Sequence, residues 1–295
     1  MVGRLTLHAR AKINLHLRVL GRLPGGYHAL ETVYHSVDLA DTLAFERSSG
    51  GVSIACDNPT IPTDARNLVA QAASAFFMFT GIAGGLRASI TKRIPAGAGL
   101  GGGSADAAAT FVALNRLYAT HYPLAVLERL GATVGADVPF CIRGGAAWGA
   151  GIGTALTPLR PAPDVRALIV NPGIHIDTAW AYRALQAPPL VRSPGVGRTP
   201  SEAGAAILRA WRGGDPVTVN SFQHPVFEAH AAVRAVRDRL RDHGAAAMMT
   251  GSGSTVFGVF NDDDALDEAR VAMGDQPFVV VTSLTDRGVV DAPYT

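Results

Sequence analysis

Apolar and polar residues alternate almost without fault over residues 5–19. The apolar positions are Leu5, Leu7, Ala9, Ala11, Ile13, Leu15, Leu17 and Val19, and the polar positions are His8, Arg10, Lys12, Asn14, His16 and Arg18. A period of two over this length predicts a β-strand with one face against a core. The glycine-rich residues 21–26 then predict a turn.

The later part of the chain predicts a mixture of shorter strands and helices. Strands are predicted over residues 29–38, 42–47, 86–94, 166–170 and 278–282, and helices over 67–78, 104–118, 124–133, 201–211, 225–243 and 262–273. Ser104 is the predicted N-cap of its helix, and Asp177 is predicted to cap a short one. Residues 188–200 predict a loop rich in Pro and Gly, and residues 246–260 a hairpin around 250–255. This order favours an α+β fold in two halves, residues 1–158 and 159–295.

The composition narrows the class of protein. With 295 residues, 48% of them hydrophobic, the chain can bury a core, which excludes a disordered chain. It has no apolar run of about 18–20 residues and no signal peptide, so we expect neither a membrane protein nor an exported one. Cys56 and Cys141 are far apart and have no CxxC neighbours, which favours a reducing, cytoplasmic location.

The charge is nearly balanced, with a formal net charge of +2, so a strongly basic nucleic-acid binder is not indicated. Of the 26 basic residues only Lys12 and Lys92 are lysines. Because arginine supplies nearly all the positive charge, a position that retains lysine suggests a need for a compact ammonium group. No motif specifies an oligomeric state.

Residues 97–103 hold five glycines, and a predicted helix follows at once. Such a loop directs free backbone amides and the positive end of the helix dipole at an approaching anion, so we predict a phosphate site. The alternative is a connection that needs glycine for tight packing. A dinucleotide fingerprint is disfavoured because helix continues where a second strand should follow. A Walker A motif lacks its lysine, and a protein-kinase loop should continue into a strand.

Phosphoryl transfer to an alcohol requires a carboxylate that accepts the hydroxyl proton and a cation near the developing charge. Among 18 aspartates, Asp137 stands out in an apolar turn between Gly135 and Pro139, although a turn former or helix cap would explain it equally. Lys12 is the candidate cation, with an ordinary exposed strand lysine as the alternative. Tyr27 and His28 on a loop tip could stack on a nucleobase, or could simply anchor a hairpin. The nine histidines show no metal-ligand spacing, so no metal ligand is assigned.

Five motifs occur in an order that resembles the GHMP kinases. They are AKINL at 11–15, GYH at 26–28, PAGAGLGGGSADAA at 95–108, GADVP at 135–139 and TGSGS at 250–254. The resemblance spans most of the chain and is closest to members that act on a cytidine-diphosphate-linked substrate. It implies an N-terminal half like the second domain of ribosomal protein S5 and a ferredoxin-like C-terminal half. The implied activity is the ATP- and Mg²⁺-dependent phosphorylation of the substrate's 2-hydroxyl in the non-mevalonate isoprenoid pathway.

The resemblance also implies roles for individual residues. Asp137 matches the catalytic base and Lys12 its partner; Asn67 and Lys92 match the adenine side. The implied substrate side is Asn14, Tyr27, His28 and Thr178. The implied ATP phosphate loop is Pro95, Ala96, Gly97, Ala98, Gly99, Leu100, Gly101, Gly102, Gly103, Ser104 and Ala105.

The chain departs from the family pattern at two positions. Ala105 replaces a common serine, which leaves Ser104 and backbone amides to contact phosphate or metal, and Ala98 replaces a common glycine. Two alternative functions remain: a family member acting on a small alcohol such as homoserine or mevalonate, and a non-catalytic RNA-binding module of the S5 type. The RNA-binding alternative predicts steeply salt-dependent affinity.

Overall fold

The computed structural model describes residues 3–163, 165–190 and 199–292. The alternating N-terminal segment is strand β1 (Arg4–Arg22), which pairs antiparallel with β2 (His28–Ser48). Strand structure is confirmed over the predicted stretches 29–38 and 42–47, but they form one strand instead of two, because pairing with β1 continues through residues 40 and 41. Asp41, for example, lies opposite Ala9 in the ladder.

The remaining elements follow in a mixed order. Up to residue 159 they are β3 (Gly51–Cys56), α1 (Leu68–Thr80), β4 (Gly85–Thr91), α2 (Gly102–Leu117), α3 (Leu124–Gly131), α4 (Val138–Arg143), β5 (Ala146–Ala150) and β6 (Ala155–Leu159). Beyond it they are β7 (Arg166–Asn171), α5 (Thr178–Ala184), α6 (Pro200–Arg212), α7 (Gln223–Ala229), α8 (Ala231–Asp242), β8 (Ala246–Met249), β9 (Val256–Phe260), α9 (Asp263–Ala272), β10 (Phe278–Thr285) and β11 (Val290–Asp291).

The strands form two sheets that meet at β2 and β10. The first contains β11, β1 and β2, with β4 and β5 also pairing with β2, β3 lying parallel to β4, and β6 pairing with β5. The second is antiparallel, in the order β10-β7-β9-β8. The proposed division between residues 1–158 and 159–295 falls close to the passage from β6 to β7, although β11 returns to the first sheet.

Three apolar clusters hold these layers together. The first lies between the first sheet and α1–α4 and includes Phe45, Phe76 and Phe111. The second joins the two sheets and α6, where the Trp211 indole N–H donates to the Leu15 carbonyl at 2.8 Å. The third packs α5 and α7–α9 on the second sheet. Among the described residues, no helix combines the length and hydropathy needed to cross a bilayer.

Several element boundaries differ from the sequence prediction. The predicted cap Ser104 is wrong: α2 is capped by Gly101, whose left-handed backbone (φ 70°) starts the helix earlier. The single helix over 225–243 is also wrong, because His230 has an extended backbone (φ −132°, ψ 78°) and separates α7 from α8. In contrast, the cap at Asp177 is confirmed, since its carboxylate accepts from the Trp180 amide. Residues 191–198 of the predicted loop lie outside the described residues.

Four strands and one helix carry no usable sequence pattern. β5 is buried along nearly all its length inside a glycine-rich stretch, so no alternation marks it. β3, β6 and β11 are short and depend on partner strands, and α4 has only six residues. β4 ends at Thr91 rather than at residue 94 because the amides of Arg93 and Ile94 donate to the Asp41 carboxylate instead of to a strand.

Two histidines with lowered pKa values make stability depend on pH. The His35 ring accepts from the Ala162 amide at 2.9 Å, and burial lowers its pKa to about 4. Burial and the charge of Arg18 lower the pKa of His16 to about 4 as well. Because the unfolded chain binds protons near pH 6.5 and the folded chain does not, stability is present above pH 6.5 and is lost as pH falls toward 4.

We expect each histidine to lower the free energy of unfolding by about 1 kcal/mol between pH 7 and 5.5. Urea unfolding at both pH values measures this change, and His35→Gln should reduce it by about half. An identical pH dependence in the variant would contradict the role given to His35.

Candidate active site

Lys12 is buried although it lies on the polar face of β1. Lys12 is only 4% exposed, because the glycine-rich loop covers this part of the strand. The backbone amide of Lys12 donates to the Leu100 carbonyl of that loop at 3.0 Å. The ammonium group donates to the side-chain oxygen of Asn14 at 2.8 Å. This environment excludes the alternative of an ordinary exposed strand lysine.

Asp137 lies directly opposite Lys12. One carboxylate oxygen is 3.3 Å from the Lys12 ammonium, and the other accepts the Tyr34 hydroxyl at 3.0 Å. Asp137 precedes α4, but its side chain makes no capping hydrogen bond. Burial and the charge of Asp137 hold the pKa of Tyr34 well above its usual value, so Tyr34 remains a donor. The carboxylate is therefore held at both oxygens, while its side chain is still 29% exposed.

The glycine-rich loop passes beside this pair. Gly97, Gly99 and Gly101 have φ values of 61°, 80° and 70°, which side-chain-bearing residues rarely adopt. A Cβ on Gly101 would lie 3.0 Å from Lys12 Cγ and 3.7 Å from the Asp137 carboxylate. α2 begins immediately afterwards, and the first amides of any helix have no acceptor within that helix. The loop thus presents backbone donors next to an ammonium–carboxylate pair.

A second glycine-containing loop, residues 250–255 between β8 and β9, packs on the first. A Cβ on Gly99 would lie 2.3 Å from the Thr250 carbonyl, so the two backbones are in direct contact. Asn14 connects both to β1: its side-chain oxygen accepts from the Gly251 amide at 3.1 Å, and its amide group donates to the Thr32 hydroxyl at 2.8 Å. Asn14 therefore holds Lys12 and the second loop in a fixed relation.

All of these groups line one open cleft of about 1050 Å³. In the same cleft, His28 stacks on Tyr182 with ring centroids 4.6 Å apart, and Tyr27 is 64% exposed. Thr178 also lines the cleft, with its hydroxyl 3.1 Å from that of Ser252. Burial, followed by the charge of Arg22, lowers the pKa of His28, which keeps its ring neutral for stacking. The cleft therefore offers a stacking surface for an aromatic base as well as backbone donors for an anion.

The predicted ATP-side residues take different positions. Gly97, Gly99, Gly101 and Ser104 line the cleft, whereas Pro95, Ala96 and Lys92 line a neighbouring cavity of about 380 Å³. Ala98, Leu100 and Ala105 are buried in the apolar clusters, and Gly102 and Gly103 form the first turn of α2.

Two side chains that are predicted to contact the nucleotide already have partners within the protein. The Asn67 side chain caps α1 by accepting from the Val69 amide at 2.9 Å, and also donates to the Pro62 carbonyl. The Lys92 ammonium pairs with two carboxylates, so it is not a free cation at the loop. Ala105 packs in the core and does not line the cleft, so the replacement of the common serine by alanine does not alter the cleft lining. Nucleotide contacts by Asn67 and Lys92 stay predictions.

Four further residues in or near the site were not assigned a role from the sequence. Tyr34 and Tyr182 line the cleft but look like ordinary core aromatics in an apolar stretch. Asp41 forms an ion pair with Lys92. In the sequence it is one aspartate among many, and only the pairing of β2 with β4 brings the two residues together. For Asp106, the neighbouring glycine motif was the available signal, although it did not indicate a role.

Comparison with known proteins agrees with this geometry. Residues 67–145 match the model for the GHMP kinases N terminal domain, and residues 190–279 match that for GHMP kinases C terminal. The chain is 40% identical to 4-diphosphocytidyl-2-C-methyl-D-erythritol kinase from Solibacter usitatus, covering 91% of this chain and 85% of that protein. It is 37% identical to the protein of that name from Pelotomaculum thermopropionicum, covering 96% and 99%.

A solved structure shows the same relation in three dimensions. The crystal structure of a 4-(cytidine 5'-diphospho)-2C-methyl-D-erythritol kinase is 36% identical, with a TM-score of 0.79 over 95% of this chain and 99% of that one. The expected two-domain α+β fold is thereby confirmed. The chain belongs to the GHMP kinase family, the family of these 4-diphosphocytidyl-2-C-methyl-D-erythritol kinases.

Proposed function

We propose that this chain transfers the γ-phosphoryl group of ATP to the 2-hydroxyl of 4-diphosphocytidyl-2-C-methyl-D-erythritol, giving the 2-phosphate and ADP. The names of its relatives support the substrate, and the family resemblance supports a role in isoprenoid synthesis. The observation that carries the proposal is the Lys12–Asp137 pair, 3.3 Å apart, in a cleft that also contains the glycine loop and the His28–Tyr182 stack.

The two charged residues have complementary roles in this reaction. Asp137 accepts the proton of the substrate hydroxyl as that oxygen attacks the γ-phosphorus, and the bond from the γ-phosphorus to the bridging oxygen of ADP breaks. Lys12 pairs with the carboxylate at 3.3 Å and offsets the negative charge that develops on the transferred group. Tyr34 holds the other carboxylate oxygen, which orients the base.

The backbone amides of the glycine-rich loop and of the start of α2 suit the binding of ATP with Mg²⁺. The left-handed glycines leave room that a Cβ would fill, and the backbone amides at the start of α2 suit phosphate oxygens. Among the described residues there is no group of three His, Cys, Asp or Glu able to hold a metal ion. Mg²⁺ commonly uses phosphates and water as ligands, so we expect the nucleotide, with the Ser104 hydroxyl, to hold it. When bound, the metal ion would neutralise charge on the phosphates.

A cytoplasmic location and the absence of a nucleic-acid partner form part of the proposal. Both cysteines are free thiols, which suits a reducing compartment. The net charge of +2 gives little support to an RNA-binding role.

A substrate panel tests the proposed reaction directly. With ATP and Mg²⁺, ADP release should depend on the cytidine-diphosphate-linked substrate and should be near background with homoserine or mevalonate. Turnover of either small alcohol at a comparable kcat/KM would favour the alternative family activity instead.

His28→Ala should weaken binding of this substrate. Loss of a stacking surface is worth about 1–3 kcal/mol per base, so we expect KM for the cytidyl substrate to rise about tenfold or more. KM for ATP should stay unchanged, because His28 is assigned to the substrate and not to the phosphate loop. His224→Ala on α7, whose side chain is 82% exposed, is the control. Equal KM values in the two variants would exclude His28 from substrate binding.

A further inference from the structure

Three charged side chains lie buried beneath the first turn of α2, and we call them the buried triad: Asp41, Lys92 and Asp106. The Lys92 ammonium donates to a carboxylate oxygen of Asp41 and, at 2.8 Å, to one of Asp106. The side chains are 0%, 6% and 6% exposed, in the order Asp41, Lys92 and Asp106. The proposed catalytic pair does not include any of them.

The triad connects three elements at the start of the phosphate loop. Asp41 lies on β2, Lys92 follows β4, and Asp106 lies on α2. The second oxygen of Asp41 accepts the amides of Arg93 and Ile94 at 2.5 and 2.9 Å, which fixes the chain just before the loop. The two ends of the loop are therefore tied together through Lys92.

Gly102, the first residue of α2, packs against Ile94 and the Lys92 ammonium group. A Cβ on Gly102 would lie 3.0 Å from the Ile94 side chain and 3.5 Å from the Lys92 ammonium. Gly101, one residue earlier, packs on Lys12. A shift of the triad would thus move the amides that face the phosphate site.

Stability alone does not account for the triad. Buried ion pairs are often no better than apolar residues of the same volume, and two carboxylates around one ammonium leave a net negative charge. The second oxygen of Asp106 is buried and has no hydrogen-bond partner among the described residues. Burial raises the pKa of Asp106, against the opposing effect of Lys92. A negative group behind an anion site also disfavours the anion.

We propose that Asp41, Lys92 and Asp106 are positioning residues for the nucleotide phosphates, which hold the start of α2 at the distance that phosphate binding requires. The proposal rests on the proposed use of ATP. It assigns the triad a geometric role that acts through the backbone of Gly102.

Two variants at one position separate geometry from charge. Asp106→Asn and Asp106→Leu both remove the carboxylate charge and keep a side chain branched at Cγ, although leucine is larger; only asparagine keeps an oxygen that can accept from Lys92. ADP affinity, measured by titration calorimetry without acceptor substrate, should be retained or slightly improved in Asp106→Asn. In Asp106→Leu it should fall about tenfold or more, because the helix start loses its link to Lys92.

Two other results with these variants would overturn the proposal. Equal tightening in both variants would show that only charge matters, and unchanged affinity in both with altered Tm would show a purely structural role. If Asp106→Leu does not fold, the apolar double variant Lys92→Met/Asp106→Leu takes its place, with the same expected loss of affinity. Wild-type protein that binds ADP but does not phosphorylate the cytidyl substrate would refute the proposed function alone, whereas wild-type protein that binds no ADP would overturn both proposals.

Discussion

Asp137→Asn is expected to lower kcat by about three orders of magnitude, because the amide cannot accept the proton of the attacking hydroxyl. Asparagine has nearly the same size and can still accept the Tyr34 hydroxyl, which lies 3.0 Å from the carboxylate in the wild-type protein. Folding and nucleotide binding should therefore be retained. Steady-state kinetics with saturating ATP and cytidyl substrate measure the loss.

The control for this variant is a direct binding measurement. ADP affinity and Tm of Asp137→Asn should stay close to the wild-type values, so that any loss of turnover reports on chemistry. A kcat within tenfold of wild type would show that Asp137 is not the base. A parallel loss of ADP affinity would indicate instead that the carboxylate mainly maintains the shape of the cleft.

Gly101→Ala is expected to lower kcat/KM about a hundredfold. The added Cβ would lie 3.0 and 3.1 Å from Lys12 Cγ and Cε, so it would press on the side chain that carries the ammonium. Alanine at a φ of 70° also strains the residue that starts α2. Both effects displace Lys12 and the phosphate loop relative to each other.

Gly51→Ala is the matched control, because Gly51 also has a φ of 70° but has open space where the Cβ would go. The two variants should lose comparable stability from backbone strain, whereas only Gly101→Ala should lose activity. If Gly51→Ala lost as much activity as Gly101→Ala at the same Tm, backbone strain rather than contact with Lys12 would account for the effect.

Local sequence patterns predicted many elements because they depend on near neighbours. The alternation in β1 predicted its length and its apolar face, and the cap at Asp177 followed from one side chain and its own helix. The patterns failed where distant contacts decide the outcome. His230 breaks a helix without glycine or proline, and its ring packs against Trp180 from another element. β5 is a strand only because β2 and β6 pair with it.

The site shows the same division. Motif order indicated a phosphate loop, a lysine and an aspartate, and the family it implied is confirmed. The alternating pattern, however, placed Lys12 and Asn14 on a polar face of β1. It gave no indication that two loops bury this part of the face. Lys92, the other retained lysine, proved to be held between Asp41 and Asp106 instead of facing the loop as a free cation.

By itself, the sequence determined the α+β class, most long elements, the glycine loop before α2 and the family, since these follow from local propensity and from motifs contiguous in the chain. Only the tertiary structure decided which charges meet. Lys12 and Asp137 are 125 positions apart and become neighbours through the packing of β1, the glycine loop and the turn before α4. Electrostatic interactions depend on distance in space and on burial, and neither quantity is written in the local order of residues.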